Sequence, residues 1–186
     1  MRLMKMRMIL GRVLVCFAAA LAATAGVHAE DQVYRTEAAF LTEAFGGEPP
    51  AAQALWVQPA LREELDRAFG WRAGLRVRYW QDGERSAWIL DEIGKDKPIT
   101  AGIVIDGGTI ARVEVLVFRE SRGWEVRYPF FTDQFNNAFL SERGDLSRHI
   151  DGITGATLSV RAVTRMARVA LRLHDETRQT TLARRP

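Results

Sequence analysis

Asp151-Gly-Ile-Thr-Gly-Ala-Thr-Leu-Ser159 sets an acid, two threonines and two glycines directly ahead of a long amphipathic segment. A helix start presents unpaired backbone N–H groups and the positive end of the macrodipole, so this junction suits a phosphate. Gly155 and Ala156 are small enough to let an anion approach the backbone closely. On these residues alone a second reading stands beside the first: Thr154 caps the helix, Gly152 serves a turn, and Asp151 makes a local side-chain hydrogen bond. His149, Asp151 and Thr154 also put a histidine and an acid near hydroxyls. Residues so close in sequence rarely converge as a catalytic triad, and there is no nucleophile elbow. A threonine hydroxyl without an activating base is a poor nucleophile, and no base in the stretch is placed for that role.

The elements that must position this stretch can be read from periodicity. Leu158, Ala162, Met166, Ala170 and Leu173 form one apolar stripe, which predicts a helix over Thr157 to Leu173. Its far side carries Arg161, Arg165, Arg168 and Arg172, a pattern that fits either a solvated face or a docking stripe for an acidic partner. Upstream, helices are expected from Thr36 to Gly46 and from Pro59 to Phe69, the second with proline in its first turn and Gly70 at its end. After Gly74 the period changes to two. Leu75, Val77 and Tyr79 lead through the turn Gln81 to Glu84 into a return strand at Ala87 to Leu90. Ile99 to Ile105 and Ile110 to Phe118 repeat the device around Asp106-Gly107-Gly108. Arg119 to Val126 reads as a loop and Thr132 to Leu140 as a short helix. The expected fold is α+β: an antiparallel sheet of about four strands packed by helices, with a long C-terminal helix starting at the opening motif.

The 186 residues suffice for one domain with a small extension. Residues 1–29 read as a secretory signal peptide cleaved after Ala29. Arg2, Lys5, Arg7 and Arg12 precede an apolar run from Val13 to Gly26, which is shorter than the ~20 residues that span a bilayer. Loss of this leader takes Lys plus Arg from 26 to 22 against 23 acids, and the formal charge from +3 to −1. The basic character of the whole chain is therefore no argument for nucleic acid. Cys16, the one cysteine, leaves with the leader, and only His149 and His174 remain. Disulfides, thiolate metal sites and a histidine cluster are thus not expected, and any redox chemistry must come from a bound cofactor.

"DGITGATLS" resembles the Asp-x-x-(Ser/Thr)-Gly-Ala-Thr motif of the FMN-binding domain family. That family takes in flavin-carrying components of the sodium-translocating NADH:quinone reductase and of the Rnf complex, together with small secreted flavoproteins. Pro98 to Val126 resembles the family's hairpin and following loop, so the likeness covers roughly Gly74 to Leu173. The resemblance implies FMN esterified through its phosphate to Thr157, by an external flavin transferase that uses FAD and magnesium and to which Asp151 matters chiefly. It also implies that Thr154, Gly155 and Ala156 line the attachment site, and that Glu120, Ser121, Gly123 and Trp124 lie near the flavin ring. For Trp124 ordinary core packing stands as the alternative.

The membrane anchor of the large-complex members is missing from this sequence, which places sodium pumping outside the expectation. The implied division is a signal peptide at 1–29, an N-terminal helical segment at 30–72, the FMN-binding domain at 73–174 and a disordered tail at 175–186. The implied role is a periplasmic electron-transfer module. Its partners would be a periplasmic or membrane donor and acceptor, such as a cytochrome or a quinone-linked protein, with peripheral membrane contact and no nucleic acid. A flavin-dependent reductase of a periplasmic substrate and a cofactor-free secreted binding protein are the alternatives.

Overall fold

The computed structural model describes residues 31–183; the signal peptide expected at 1–29 lies outside them. Six antiparallel strands form one sheet in the order β1-β6-β5-β4-β3-β2. They are β1 (Gln32–Val33), β2 (Gln53–Trp56), β3 (Arg76–Asp82), β4 (Arg85–Ile93), β5 (Pro98–Asp106) and β6 (Thr109–Phe118). The two expected hairpins are β3–β4 and β5–β6, and β4 pairs with β5 along its whole length, from Arg85↔Asp106 to Ile93↔Pro98.

The sheet has two strands more than expected, and both lie in the segment read as wholly helical. β1 pairs with β6 and β2 with β3, so the N-terminal segment closes both edges of the sheet. Two and four residues are too few to display an alternating pattern, which is why these edge strands escape a reading based on period.

Strand alternation then divides the core in two. On one face, Ile99, Ala101, Ile103 and Ile105 of β5 pack with Trp88, Phe118 and two helices, α2 (Pro59–Phe69) and α3 (Thr157–Ala183). Met166, wholly buried in this layer, alone removes enough apolar surface to contribute ~1.5–3 kcal/mol. On the other face, Trp80, Ala87, Val104 and Leu116 receive Phe40, Leu41 and Ala44 of α1 (Glu37–Phe45). Gly102 lets α1 come that close: a Cβ there would lie 2.5–2.7 Å from three atoms of the Phe40 ring. The α1 start is capped by the Thr36 hydroxyl, which accepts from Ala39 N–H at 3.2 Å.

The long helix does not stop at Leu173, and residues 175–183 are helical where a disordered tail is expected. The inward face simply continues, since His174 and Thr177 are buried and Thr177 donates to the His174 carbonyl at 2.7 Å. Arg172 and Glu176 add an ion pair one turn apart. Nor do the far-side arginines form a bare cationic stripe. Arg172 grips Glu64 of α2 through two bonds of 2.6 and 2.9 Å, Arg168 donates to the Gly144 carbonyl and pairs with Asp145, and Arg165 pairs with Glu92 of β4. Three of the four thus fasten α3 to its surroundings. At the other end of the stripe, Leu158 is 43% exposed and stands outside the core.

The expected helix at Thr132 to Leu140 is displaced. One helical turn occupies Pro129–Thr132, with 3₁₀ turns at Trp124–Arg127 before it and Asp133–Phe135 after it. Phe131 and Phe135, packed edge to face at 5.4 Å, bury this corner against the sheet.

Candidate functional site

The opening motif is a turn followed by an uncapped helix start. Ala156 N–H donates to the Ile153 carbonyl at 3.0 Å, and Gly155 takes a φ of +84°, a left-handed value that an L side chain rarely adopts. The Ala156 carbonyl accepts the first helical bond, from Val160 at 2.9 Å, so Ala156 and not Thr154 occupies the N-cap. A methyl group cannot accept a hydrogen bond, and the N–H groups of the first turn are left to other partners. Gly152 and Gly155 have nothing within 4 Å of where a Cβ would stand, so space is open on their side chain faces. Thr157, the first helical residue, is exposed, as are Asp151 and Thr154.

The motif and the loop after β6 meet. Glu120, Ser121 and Arg122 face Gly155, Ala156, Thr157, Leu158 and Ser159 across a cleft of about 590 Å³, and Lys95 from the β4–β5 turn completes its wall. Gly123 makes the approach possible. Its φ is +89°, and a Cβ on it would collide with Ser159 Oγ and sit 3.4 Å from the Ala156 methyl. Trp124 stands apart from the cleft: it is 39% exposed, edge-on to Tyr128 at 5.8 Å, with the Arg127 guanidinium 5.3 Å from its ring.

Glu120 is nine-tenths buried and is committed to the backbone. Its Oε1 accepts the N–H groups of Lys95, Asp96 and Lys97 at 2.5, 2.6 and 2.9 Å. Burial alone would raise its pKa, but these amide bonds outweigh that effect and hold the carboxyl below its ordinary value. Glu120 thus belongs to the cleft by fixing the turn that carries Lys95, with Gly94 packed so close that a Cβ would come within 2.9 Å of the same oxygen.

On the other side, the Gln134 side chain accepts Asp151 N–H at 2.6 Å and so pins the start of the motif. The Asp151 carboxylate remains 83% exposed, 3.6 Å from His149 Nε2. Lys95, Arg122, Leu158, Ser159 and Gln134 are the site residues that sequence reasoning passed over. Arg122 stands inside the loop string already singled out, whereas Lys95 and Gln134 reach the site through contacts between residues far apart in the chain.

An antiparallel sheet covered by a long helix, whose open start shares a cleft with the loop after a hairpin, defines an anion-accepting cofactor domain. Residues 94–172 match the family described as FMN-binding domain, and this part of the chain belongs to it. FMN is accordingly its cofactor, and the protein binds flavin. The matched stretch begins at Gly94 rather than Gly74, and it takes in every residue that lines the cleft. None of the curated proteins compared matches this chain.

The residues present fit the cofactor. The free helix start, the cationic Lys95 and Arg122 and the small Gly155 and Ala156 suit a phosphate, and the cleft falls in the range of ~300–1,000 Å³ typical of small-molecule sites.

Proposed function

We propose that FMN is joined to Thr157 Oγ1 through a phosphoester and that the protein is a periplasmic electron-transfer module. One observation carries this reading: an exposed threonine hydroxyl opens a 27-residue helix inside a cleft that also presents Lys95, Arg122 and uncapped backbone N–H groups. Lys95, Arg122 and the first-turn N–H groups would hold the phosphoester, while Ser121, Ser159 and Leu158 would border the rest of the flavin. When bound, FMN supplies reversible transfer of one or two electrons. The chain's own part is to fix the cofactor at a rigid point and leave one side open to partners. Glu120 and Gln134 serve that end by anchoring the two loops.

Attachment calls for a flavin transferase supplied with FAD and magnesium, because the buried carboxylate of the cleft, Glu120, is committed to three backbone N–H groups and no other buried base stands beside the motif among the described residues. The exposed Asp151 carboxylate is available to that enzyme. The leader-like residues 1–29 support a periplasmic site of action, with a cytochrome or a quinone-linked protein as electron donor or acceptor.

The test is to co-express the chain with a flavin transferase in a secreting bacterium and view a denaturing gel under ultraviolet light. The expected result is a fluorescent band for the wild type and a dark one for Thr157→Ala. A dark wild-type band beside a labelled positive control would refute covalent attachment, and a fluorescent Thr157→Ala band would refute the site.

A further inference from the structure

One turn beyond the flavin cleft, α3 borders a second and larger one of about 660 Å³, and the two share no lining residue. Its walls are α3 from Val160 to Arg168 on one side and the loop from Asp145 to Ile150 on the other. Phe69, Leu146, Ile150 and Val160 give it an apolar floor.

The charges around this floor do not balance. Arg165 is matched by Glu92 at 3.3 Å, Arg168 by Asp145 at 3.3 Å, and Arg148 donates to the Asn136 carbonyl. Arg161 has no ion-pair or hydrogen-bond partner among the described residues. Three positions along the same helix, the Thr164 hydroxyl is buried and equally without a partner. Residues three apart on a helix lie on one face, so a forked cation and an unused hydroxyl adjoin the same cleft.

We propose that this cleft binds a small organic carboxylate, with the carboxylate held by Arg161 and Thr164 and the apolar body laid on Phe69, Leu146, Ile150 and Val160. A planar guanidinium matches a carboxylate in shape. Neither Arg161 nor Arg148, whose guanidinium meets only the Asn136 carbonyl, has an acidic partner among the described residues, so the cleft keeps a net positive charge that favours an anion. The floor selects an anion with a hydrocarbon body over inorganic ions. The site stands independently of flavin attachment.

The probe is 4-phenylbutyrate, titrated into the flavin-loaded protein and into Thr157→Ala, with neutral 4-phenylbutanamide as control. ¹⁵N spectra report the location and calorimetry the affinity. The expected result is saturable binding with shifts at residues 145–150 and 160–168, and affinity at least about tenfold weaker for the amide, as for loss of a charge-assisted contact. Arg161→Gln and Thr164→Val should each weaken binding, the first by about tenfold, with unchanged melting temperatures. Equal binding in Thr157→Ala would show that the site does not depend on the flavin. No saturable binding, equal affinity for the amide, shifts at residues 120–122 and 155–159 instead, or wild-type affinity in both variants would each overturn the proposal.

Discussion

Replacement of Glu120 by glutamine tests whether that carboxylate is a structural anchor. Its Oε1 gathers the N–H groups of Lys95, Asp96 and Lys97 within 2.9 Å, and the side chain is buried. Hydrogen bonds to a charged group contribute ~1.5–3 kcal/mol and neutral ones ~0.5–1.5 kcal/mol. Glutamine keeps an oxygen acceptor but loses the charge and puts an NH2 donor in place of the second oxygen. Three donors sharing one oxygen are individually weaker than separate bonds, and the exposed turn regains water when released. Together these considerations place the loss at ~1–2 kcal/mol at pH 7.

The pH dependence sharpens the test. A carboxyl held below its ordinary value binds its proton less readily folded than unfolded, so its contribution is present above about pH 4.3 and is lost as pH falls through the folded value. Urea unfolding of wild type and Glu120→Gln should therefore differ in midpoint at pH 7 and converge on acidification, with similar m-values. Equal stability at pH 7, or a difference that persists undiminished in acid, would refute the anchoring role.

Three further outcomes follow from the same contacts. Gly123→Ala combines a left-handed φ with a collision at Ser159 Oγ, and should cost ~2 kcal/mol or more in urea unfolding; a wild-type midpoint would disprove the close packing of loop and helix. Gly102→Ala should destabilise by ~1–3 kcal/mol through overpacking against Phe40, and the double variant with Phe40→Leu should recover part of that loss. His174 is buried with Nδ1 2.8 Å from Ser86 Oγ, and burial holds its pKa below the ordinary range. The unfolded chain then takes up the proton first, so stability should fall as pH drops below about 6.5. A His174→Gln protein should lack that component of the slope, and an identical slope would exclude His174 as its source.

How much of this was legible in the sequence depended on distance along the chain. Both hairpins, the two N-terminal helices and the start of α3 were legible because their signals are local: an alternating pattern, a glycine stop or a proline start. The strands Gln32–Val33 and Gln53–Trp56 were not, because an edge strand this short is defined by its neighbour and not by its own pattern. The same holds for the arginines. Spacing puts Arg165, Arg168 and Arg172 on one face of a helix, but only the tertiary fold brings Glu92, Asp145 and Glu64 to meet them. Within the site, Gly155, Ala156 and Thr157 could be grouped by sequence, and the family resemblance added Glu120 and Ser121. The Lys95 turn could not be placed, since nothing in its own residues points to a carboxylate 25 positions away.

The arrangement of these ties bears on what the site can do. Electron transfer between partners needs a cofactor held in a fixed place, with little reorganisation around it. The cleft is built from three connecting segments, which are ordinarily the mobile parts of a fold. Here each is fastened: the turn at 94–97 by Glu120, the loop after β6 by the close fit of Gly123 on Ser159, and the motif by Gln134 on Asp151. The helix that carries Thr157 is in turn fixed to α2 by Arg172 and to β4 by Arg165. Thr157 itself is left exposed at the end of this rigid frame. Under the proposed attachment, that combination suits a residue reached first by a modifying enzyme and then holding its cofactor still, with much of the rigidity supplied from outside the cleft by Gln134, Arg165 and Arg172.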